Sequence, residues 1–309
     1  MAAPTGTYLT SAAIGNREDL SDAIYRISPT QTPFLNLASK GKATHTLHEW
    51  QTQDLASAAA NAQAEGDNAS AKTVTPTVRL ASRTQISTKT VIVSNSQQAT
   101  NPAGRKDEMG YQLALASLEL KRDMEFGLTQ NRVGTSSPRS VKGLPCWIGD
   151  NVDTGASYVA PVYTSTDGTT NTDGTQIAFT ESRLKNVLQK IYTAGGEPDV
   201  IMLPPLAKQT FSTFTGNATR FDKSEDGKLF ASIDVYVSDF GEIKAVPNRF
   251  QRVRDVFILQ SDKWAVAYLR PFTTIELATT GDAMQRELVV EYALEARAPK
   301  ANGAVYDIT

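Results

Sequence analysis

Apolar residues recur at helical spacing through residues 101–131, which read NPAGRKDEMGYQLALASLELKRDMEFGLTQN. Intervals of three and four residues predict one buried helical face, formed by Met109, Leu113, Ala116, Leu120, Met124 and Leu128. Charged residues are expected on the remaining surface: Lys106, Glu108, Glu119, Lys121, Arg122 and Glu125. Asn101 suits an N-cap, Pro102 suits the first helical position, and Gly134 can end the helix. Such a helix is about 40 Å long and has no residue pattern typical of catalysis.

Alternating residues predict two strands upstream of this helix, at 44–51 and 73–93. The second strand has an apolar and a basic face: Val78, Leu80, Ile86 and Ile92 on one, Arg79, Arg83 and Lys89 on the other. Residues 52–72 are mostly small and polar, with a turn expected at 65–68. The two strands predict a long hairpin with almost no core of its own. Because an isolated hairpin is marginal in water, we expect it to lie on a neighbouring copy of the chain.

Shorter helices and strands are predicted elsewhere. The predicted helices are 16–27, 179–194 and 206–214, and the predicted strands are 198–205, 229–237, 243–246, 253–259, 264–269, 272–277 and 288–298. Residues 215–228 are expected to form a polar loop. This mixture of helices and strands predicts an α+β fold.

A short internal repeat lies in the Gly-, Ser- and Thr-rich segment 135–180. The repeats are TDGT at 166–169 and TDGT at 172–175. A calcium loop needs oxygen ligands at alternating positions and a distant Glu, which this segment lacks. We therefore interpret the repeats as two Asp-Gly turns.

Composition limits the possible functions. The 309 residues suffice for two domains or one elongated domain, and a net charge of −2 gives no basic field typical of nucleic-acid binding. The single cysteine, Cys146, excludes an intrachain disulfide and a Cys-based zinc site, and we expect it to be a small buried residue. Without an apolar run of membrane length or a signal-peptide pattern, the sequence predicts a soluble protein made in a reducing cytoplasm.

Residues that could support catalysis are few. His45 and His48 lie three residues apart in one predicted strand, so they point to opposite faces and cannot readily share a metal or a triad. The acidic residues Asp222, Glu225 and Asp226 lie in the polar loop beside two lysines. They predict a solvated or intersubunit charge cluster rather than a pair of catalytic carboxylates. We expect no enzymatic activity and no cofactor or metal.

Several short motifs resemble the SU-ten-like group of tailed-bacteriophage major capsid proteins, which have the Hong Kong ninety-seven (HK-type) capsid fold. The motifs are Ser28-Pro29-Thr30, Thr32-Pro33-Phe34, Leu47-His48-Glu49-Trp50-Gln51 and Glu65-Gly66-Asp67. The order of predicted elements agrees over nearly the whole chain.

The resemblance implies a division of the chain into five parts. These are an N-terminal arm (1–40), an extended loop (41–93), a peripheral domain (94–179) with a spine helix at 101–131, an axial domain (180–265) and C-terminal return strands of the peripheral domain (266–309). It implies intersubunit contacts in the extended loop by Glu49, Trp50, Asp54, Glu65, Asp67, Arg79, Arg83 and Lys89. Asp222, Glu225 and Asp226 would then lie in a loop at the capsomer axis. Lys72 near the loop tip is a cross-linking candidate by position only.

The implied function is to form pentamers and hexamers of an icosahedral shell around double-stranded DNA, bound without sequence specificity. The implied partners are further copies of the chain, a portal, a separate scaffold protein and a decoration protein, with assembly in the bacterial host cytoplasm. We expect Arg83→Glu to reduce particle yield while the subunit stays soluble. The alternatives are an encapsulin-like nanocompartment shell, a minor component such as a decoration protein, and, remotely, a hydrolase.

Overall fold

The computed structural model describes residues 29–68, 71, 73–100, 107–214 and 235–309. The described helices are α1 Pro33–Leu37, α2 Asn95–Ala99, α3 Glu108–Thr129, α4 Glu181–Thr193 and α5 Pro205–Phe211. The first seven strands are β1 Ser39–Lys42, β2 Leu47–Thr52, β3 Val78–Arg83, β4 Gln85–Ser94, β5 Thr135–Ser136, β6 Arg139–Ser140 and β7 Asn151–Asp153. The others are β8 Val200–Leu203, β9 Val235–Ser238, β10 Gly241–Pro247, β11 Val256–Leu259, β12 Trp264–Glu276, β13 Ala283–Ala296 and β14 Gly303–Val305. The predicted helix 16–27, the polar loop 215–228 and residues Asn101, Pro102 and Lys106 lie outside the described residues.

Two larger sheets organise the chain. One has the strand order β1-β12-β13-β4 and the other has the order β7-β14-β11-β8-β10-β9. Strands β2 and β3 form a separate antiparallel pair, as do β5 and β6. Helices and mixed sheets occur together, as the α+β prediction requires.

The long helix α3 packs against the four-stranded sheet. Its residues Leu120, Met124 and Leu128 join a core that includes Trp264 and Tyr292 of that sheet. The predicted apolar face is confirmed, although Leu113 is only half-buried. At 22 residues, α3 is about 33 Å long.

A second core lies between α4 and the six-stranded sheet. Leu184, Val187, Leu188 and Ile191 are buried there, as the spacing predicts. The helix ends where Gly195 takes a positive φ of 87°, a conformation that suits glycine. Strand β8 is buried along its whole length, as expected for a short apolar strand between prolines.

Three details of the helix prediction are wrong. The helix begins at Glu108 because Asp107 has extended backbone angles. Glu108 and Glu125, which we placed on the exposed surface, are buried. Glu125 is buried because its carboxylate accepts the peptide N–H groups of Phe34 and Leu35, which are distant in the sequence.

The predicted strand 73–93 is two strands. The break is at Thr84, whose peptide N–H donates to Thr46 O and whose hydroxyl donates to Glu291 at 2.7 Å. Upstream of it β3 pairs with β2, and downstream β4 pairs with β13. Ile86 and Ile92 of the predicted apolar face are exposed, because only the other side of β4 meets α3.

The predicted strands 264–269 and 272–277 are a single strand, β12. Its pairing with β13 shifts register on either side of Arg270, which accommodates Pro271. The repeat at 166–169 forms a turn, with Gly168 at φ 71°. The second repeat is not a turn, since Thr172 bridges to Val159 and Gly174 donates its N–H to Asp307.

The domain boundaries remain a prediction. The six-stranded sheet contains most of the strands predicted for the axial part, together with β7 and β14 from outside it. Strand β1 pairs with β12, which makes the end of the predicted arm part of the four-stranded sheet.

Candidate assembly interface

Within the predicted extended loop (41–93), strands β2 and β3 form a hairpin whose 25-residue connection, residues 53–77, we name the outer loop. The described part of that connection contains no helix or strand and is exposed. Its turn closes with the Asp67 N–H donating to Ala64 O, while Gly66 takes a φ of 81°. Leu55 is 95 % exposed and Val74 is 79 % exposed. The outer loop therefore presents apolar side chains without a core of its own.

The base of the extended loop is anchored to the body of the same chain. The Trp50 indole N–H donates to Ala296 O at 2.9 Å, and its ring centroid lies 5.4 Å from that of buried Trp147. Leu80, on the partner strand, belongs to the first core. Our expectation that the hairpin lacks a core is wrong for its base and holds for the outer loop.

The two histidines make separate contacts. His48 Nε2 lies 3.0 Å from Glu295 Oε2, and this hydrogen bond lowers the pKa of Glu295. His45 Nδ1 instead accepts the N–H of Leu47 at 3.2 Å. No metal-binding group of His, Cys, Asp or Glu is found among the described residues.

Most of the charged residues predicted for intersubunit contact form ion pairs within the chain. The pairs are Glu49–Arg79 at 3.3 Å, Asp54–Lys300 at 2.5 Å, Arg83–Asp167 at 2.5 Å and Lys89–Asp123 at 2.9 Å. The hydrogen bond to Asp123 raises the pKa of Lys89. Glu65 and Asp67 at the turn remain exposed and form no ion pair with any described residue. The contact of all these residues with another copy stays a prediction.

A buried lysine beside the loop base was not found from the sequence. Lys142 is fully buried, and its ammonium donates to Tyr163 O at 3.2 Å and Ser165 O at 3.1 Å. The same ammonium lies 3.9 Å from the ring centroid of Trp147. Burial lowers the pKa of Lys142 to about 8. Nothing in the local sequence distinguishes this lysine from an exposed one, because its partners are distant backbone carbonyls.

Cys146 is buried, as predicted. Its thiol lies 3.0 Å from Arg132 O, and burial raises its pKa to about 11. A thiol in this environment stays protonated at neutral pH, so it is a packing residue rather than a nucleophile.

The end of the predicted arm is fixed by Glu125 of α3. Its carboxylate accepts the N–H groups of Phe34 and Leu35, each at 2.9 Å, and the side-chain amide of Asn248 at 2.6 Å. Thr32, at the N-cap of α1, makes no side-chain capping bond. Glu125 therefore supplies from a distance the capping that helix N-termini require. Burial raises its pKa.

The remaining predicted contact residues cannot be placed. Lys72, Asp222, Glu225 and Asp226 lie outside the described residues. Among the described helices, none is long and apolar enough to cross a membrane.

Comparison with known proteins decides the family, because the model of the SU10 major capsid protein family matches residues 3–309. The chain belongs to this family. It is 27 % identical to the major capsid protein of Escherichia phage Phieco32, over 99 % of this chain and 98 % of that protein.

Solved structures show that this family member has the HK-type capsid fold. The cyanophage A-1(L) capsid matches with a TM-score of 0.68 at 16 % identity, over 97 % of this chain and 98 % of that one. Gordonia phage Cozz matches with a TM-score of 0.65 at 12 % identity, over 99 % and 97 %. The protein is thus a phage major capsid protein and a component of the virion. The nanocompartment, decoration-protein and hydrolase alternatives are not favoured.

Proposed function

We propose that copies of this chain form the pentamers and hexamers of a closed icosahedral shell around double-stranded DNA, with no enzymatic activity. The observation that carries the proposal is the extended loop. Its base is anchored in the chain through Trp50, while its outer part presents Leu55 and Val74 to solvent. Exposed apolar side chains on a segment without a core gain burial free energy when an adjacent copy covers them. The outer loop would rest on an adjacent copy.

The shell requires further partners. We propose a portal, a separate scaffold protein and a decoration protein, with assembly in the cytoplasm of the bacterial host. The solved capsid of phage G contains decoration proteins beside its major capsid proteins. The net charge of −2 fits a shell that encloses DNA without binding it tightly.

Ion pairs would orient the outer loop on a neighbouring copy, but each would contribute little to the binding free energy. Because Arg79 and Arg83 have partners within the chain, Glu65 and Asp67 are the charges at the described turn that remain for a neighbouring copy. One exposed ion pair contributes about 0–1 kcal/mol, and repetition over a shell multiplies that contribution.

The intrachain pairs also change the choice of test. Arg83→Glu would break the pair with Asp167 as well as any contact with a neighbour, so a low particle yield would not separate the two causes. Substitutions in the outer loop avoid this ambiguity.

The test is the double variant Leu55→Ser with Val74→Ser. We expect its urea unfolding midpoint to match the wild type, because both side chains are exposed in one chain, while the yield of closed particles falls at least several-fold. Val253→Ser is the control, since Val253 is also aliphatic and 68 % exposed but lies outside the extended loop. Sedimentation and negative-stain microscopy measure the yield. Wild-type particle yield from the double variant would exclude the outer loop as an assembly contact.

A further inference from the structure

Five charged side chains meet where the second repeat approaches the C-terminal tail. We name Asp173, Arg252, Arg254, Asp255 and Asp307 the tail cluster. Arg252 binds both oxygens of Asp173 at 2.7 Å, and Arg254 binds Asp307 at 2.8 Å. Three carboxylates against two guanidinium groups leave one excess negative charge when all five are ionised.

Asp255 is the carboxylate of the tail cluster that lacks a hydrogen-bond donor among the described residues. Its side chain is 1 % exposed, and neither of its oxygens receives a hydrogen bond from the described part of the chain. Its nearest ion-pair contact is Arg252 Nη1 at 3.4 Å. A buried carboxylate in this state has lost its hydration without a replacement, which favours the protonated form.

The surroundings of Asp255 come from three segments. Asp173 and Tyr158 adjoin the bridge between Val159 and Thr172. Arg252 and Arg254 precede β11, and Tyr306 and Asp307 belong to the tail. The two neighbouring carboxylates oppose ionisation of Asp255, and the two arginines favour it.

We propose that the tail cluster holds one proton at Asp255 while the C-terminal tail is attached, and that this proton tightens the attachment. With this proton bound, the two remaining carboxylates balance the two guanidinium groups. The attachment that it stabilises includes the Gly174 N–H to Asp307 at 2.9 Å and the Ile308 N–H to Arg254 O at 3.0 Å. The inference concerns a single chain and is independent of the proposed shell contacts.

The direction of the pH effect follows from linkage. Burial raises the pKa of Asp255 from 3.8 to about 7. As pH falls through about 7, the folded tail binds a proton that the opened tail would bind only near pH 3.8, so the attachment strengthens between about pH 8 and about pH 6. For one group with this pKa, the opening equilibrium changes about tenfold over that range.

The test is hydrogen exchange of the amides of residues 303–309 in the full chain, corrected for the intrinsic pH dependence of exchange. We expect protection about tenfold higher at about pH 6 than at about pH 8. Asp255→Asn keeps the shape of the side chain and removes the titration, so its protection should not vary over this range. Asp199→Asn is the control, because the Asp199 carboxylate has donors from Ser261 at 2.7 and 2.5 Å. It should keep the wild-type profile.

Two results would overturn the inference. One is a wild-type tail whose corrected exchange does not change with pH, and the other is Asp255→Asn with the wild-type pH profile. Should Asp255→Asn fail to fold, infrared titration of aspartate-labelled wild type decides. A protonated carboxyl band that disappears near neutral pH supports the inference, and its absence contradicts it.

Discussion

The buried carboxylate of Glu125 joins three distant segments through single atoms. It receives donors from the end of the predicted arm and from Asn248, while its own backbone belongs to α3. Removal of a buried acceptor of this kind lowers the free energy of unfolding, because its buried donors are left without partners.

We expect Glu125→Ala to lower the free energy of unfolding by about 3 kcal/mol, since two peptide N–H groups and one amide lose their acceptor. Glu119→Ala on the same helix is the control. Among the described residues, the ion pair of Glu119 is with Lys89 at 3.7 Å, so its loss should cost under about 1 kcal/mol. Urea unfolding of both variants measures the difference. Equal midpoints would show that the Glu125 bonds are energetically unimportant.

Individual residues were the hardest part to predict. The spacing of Leu120, Met124 and Leu128 is a local property of the sequence and gave the correct helical face. The burial of Glu125 and Lys142 depends on donors and acceptors far away in the chain, which no local pattern contains.

At the scale of elements, the extended loop has two energetic parts. Its base is attached to the body of the chain by the contact between the Trp50 and Trp147 rings and by the hydrogen bond from the Trp50 indole. Its outer part is held mainly by polar side-chain contacts. Opening of the base should therefore release the whole loop, while changes in the outer part should leave the base intact.

Trp50→Ala tests this division. We expect a loss of about 2 kcal/mol in unfolding free energy, because a half-buried aromatic ring and one hydrogen bond are removed. Proteolytic cleavage between residues 53 and 77 should accelerate accordingly. Leu55→Ala, at an exposed position of the same loop, should change neither quantity. Wild-type cleavage of Trp50→Ala would contradict the role of the indole as anchor.

Strand positions were predictable, but strand partners were not. Alternation located β2 and the apolar run between prolines located β8, since both patterns are local properties of the sequence. The division of 73–93 at Thr84 arises from a change of partner from β2 to β13, and β13 is almost 200 residues further along the chain.

At the scale of the whole molecule, the last strand completes the fold. Strand β14 lies inside the six-stranded sheet, between β7 and β11, and all three of its residues are buried. Tyr306 follows it, is fully buried and donates to Ile148 O at 2.9 Å. The family resemblance gave the correct fold, whereas its assignment of the C-terminal strands to the peripheral domain stays a prediction.

We expect deletion of residues 303–309 to prevent folding. It removes an internal strand together with Tyr306 and Ile308, a loss comparable with the roughly 5–15 kcal/mol stability of an ordinary domain. Deletion of Thr309 alone should be tolerated, because this residue is exposed. Soluble yield and circular dichroism distinguish the outcomes. A soluble, folded product lacking 303–309 would show that β14 is dispensable.

The position of β14 also has a consequence for protein synthesis. Strand β14 is synthesised after the five strands that it joins in the six-stranded sheet. Until β14 leaves the ribosome, the edge strand β7 has no partner in that sheet and one edge of β11 is open. The sheet can therefore be completed only after all of its other strands have been synthesised.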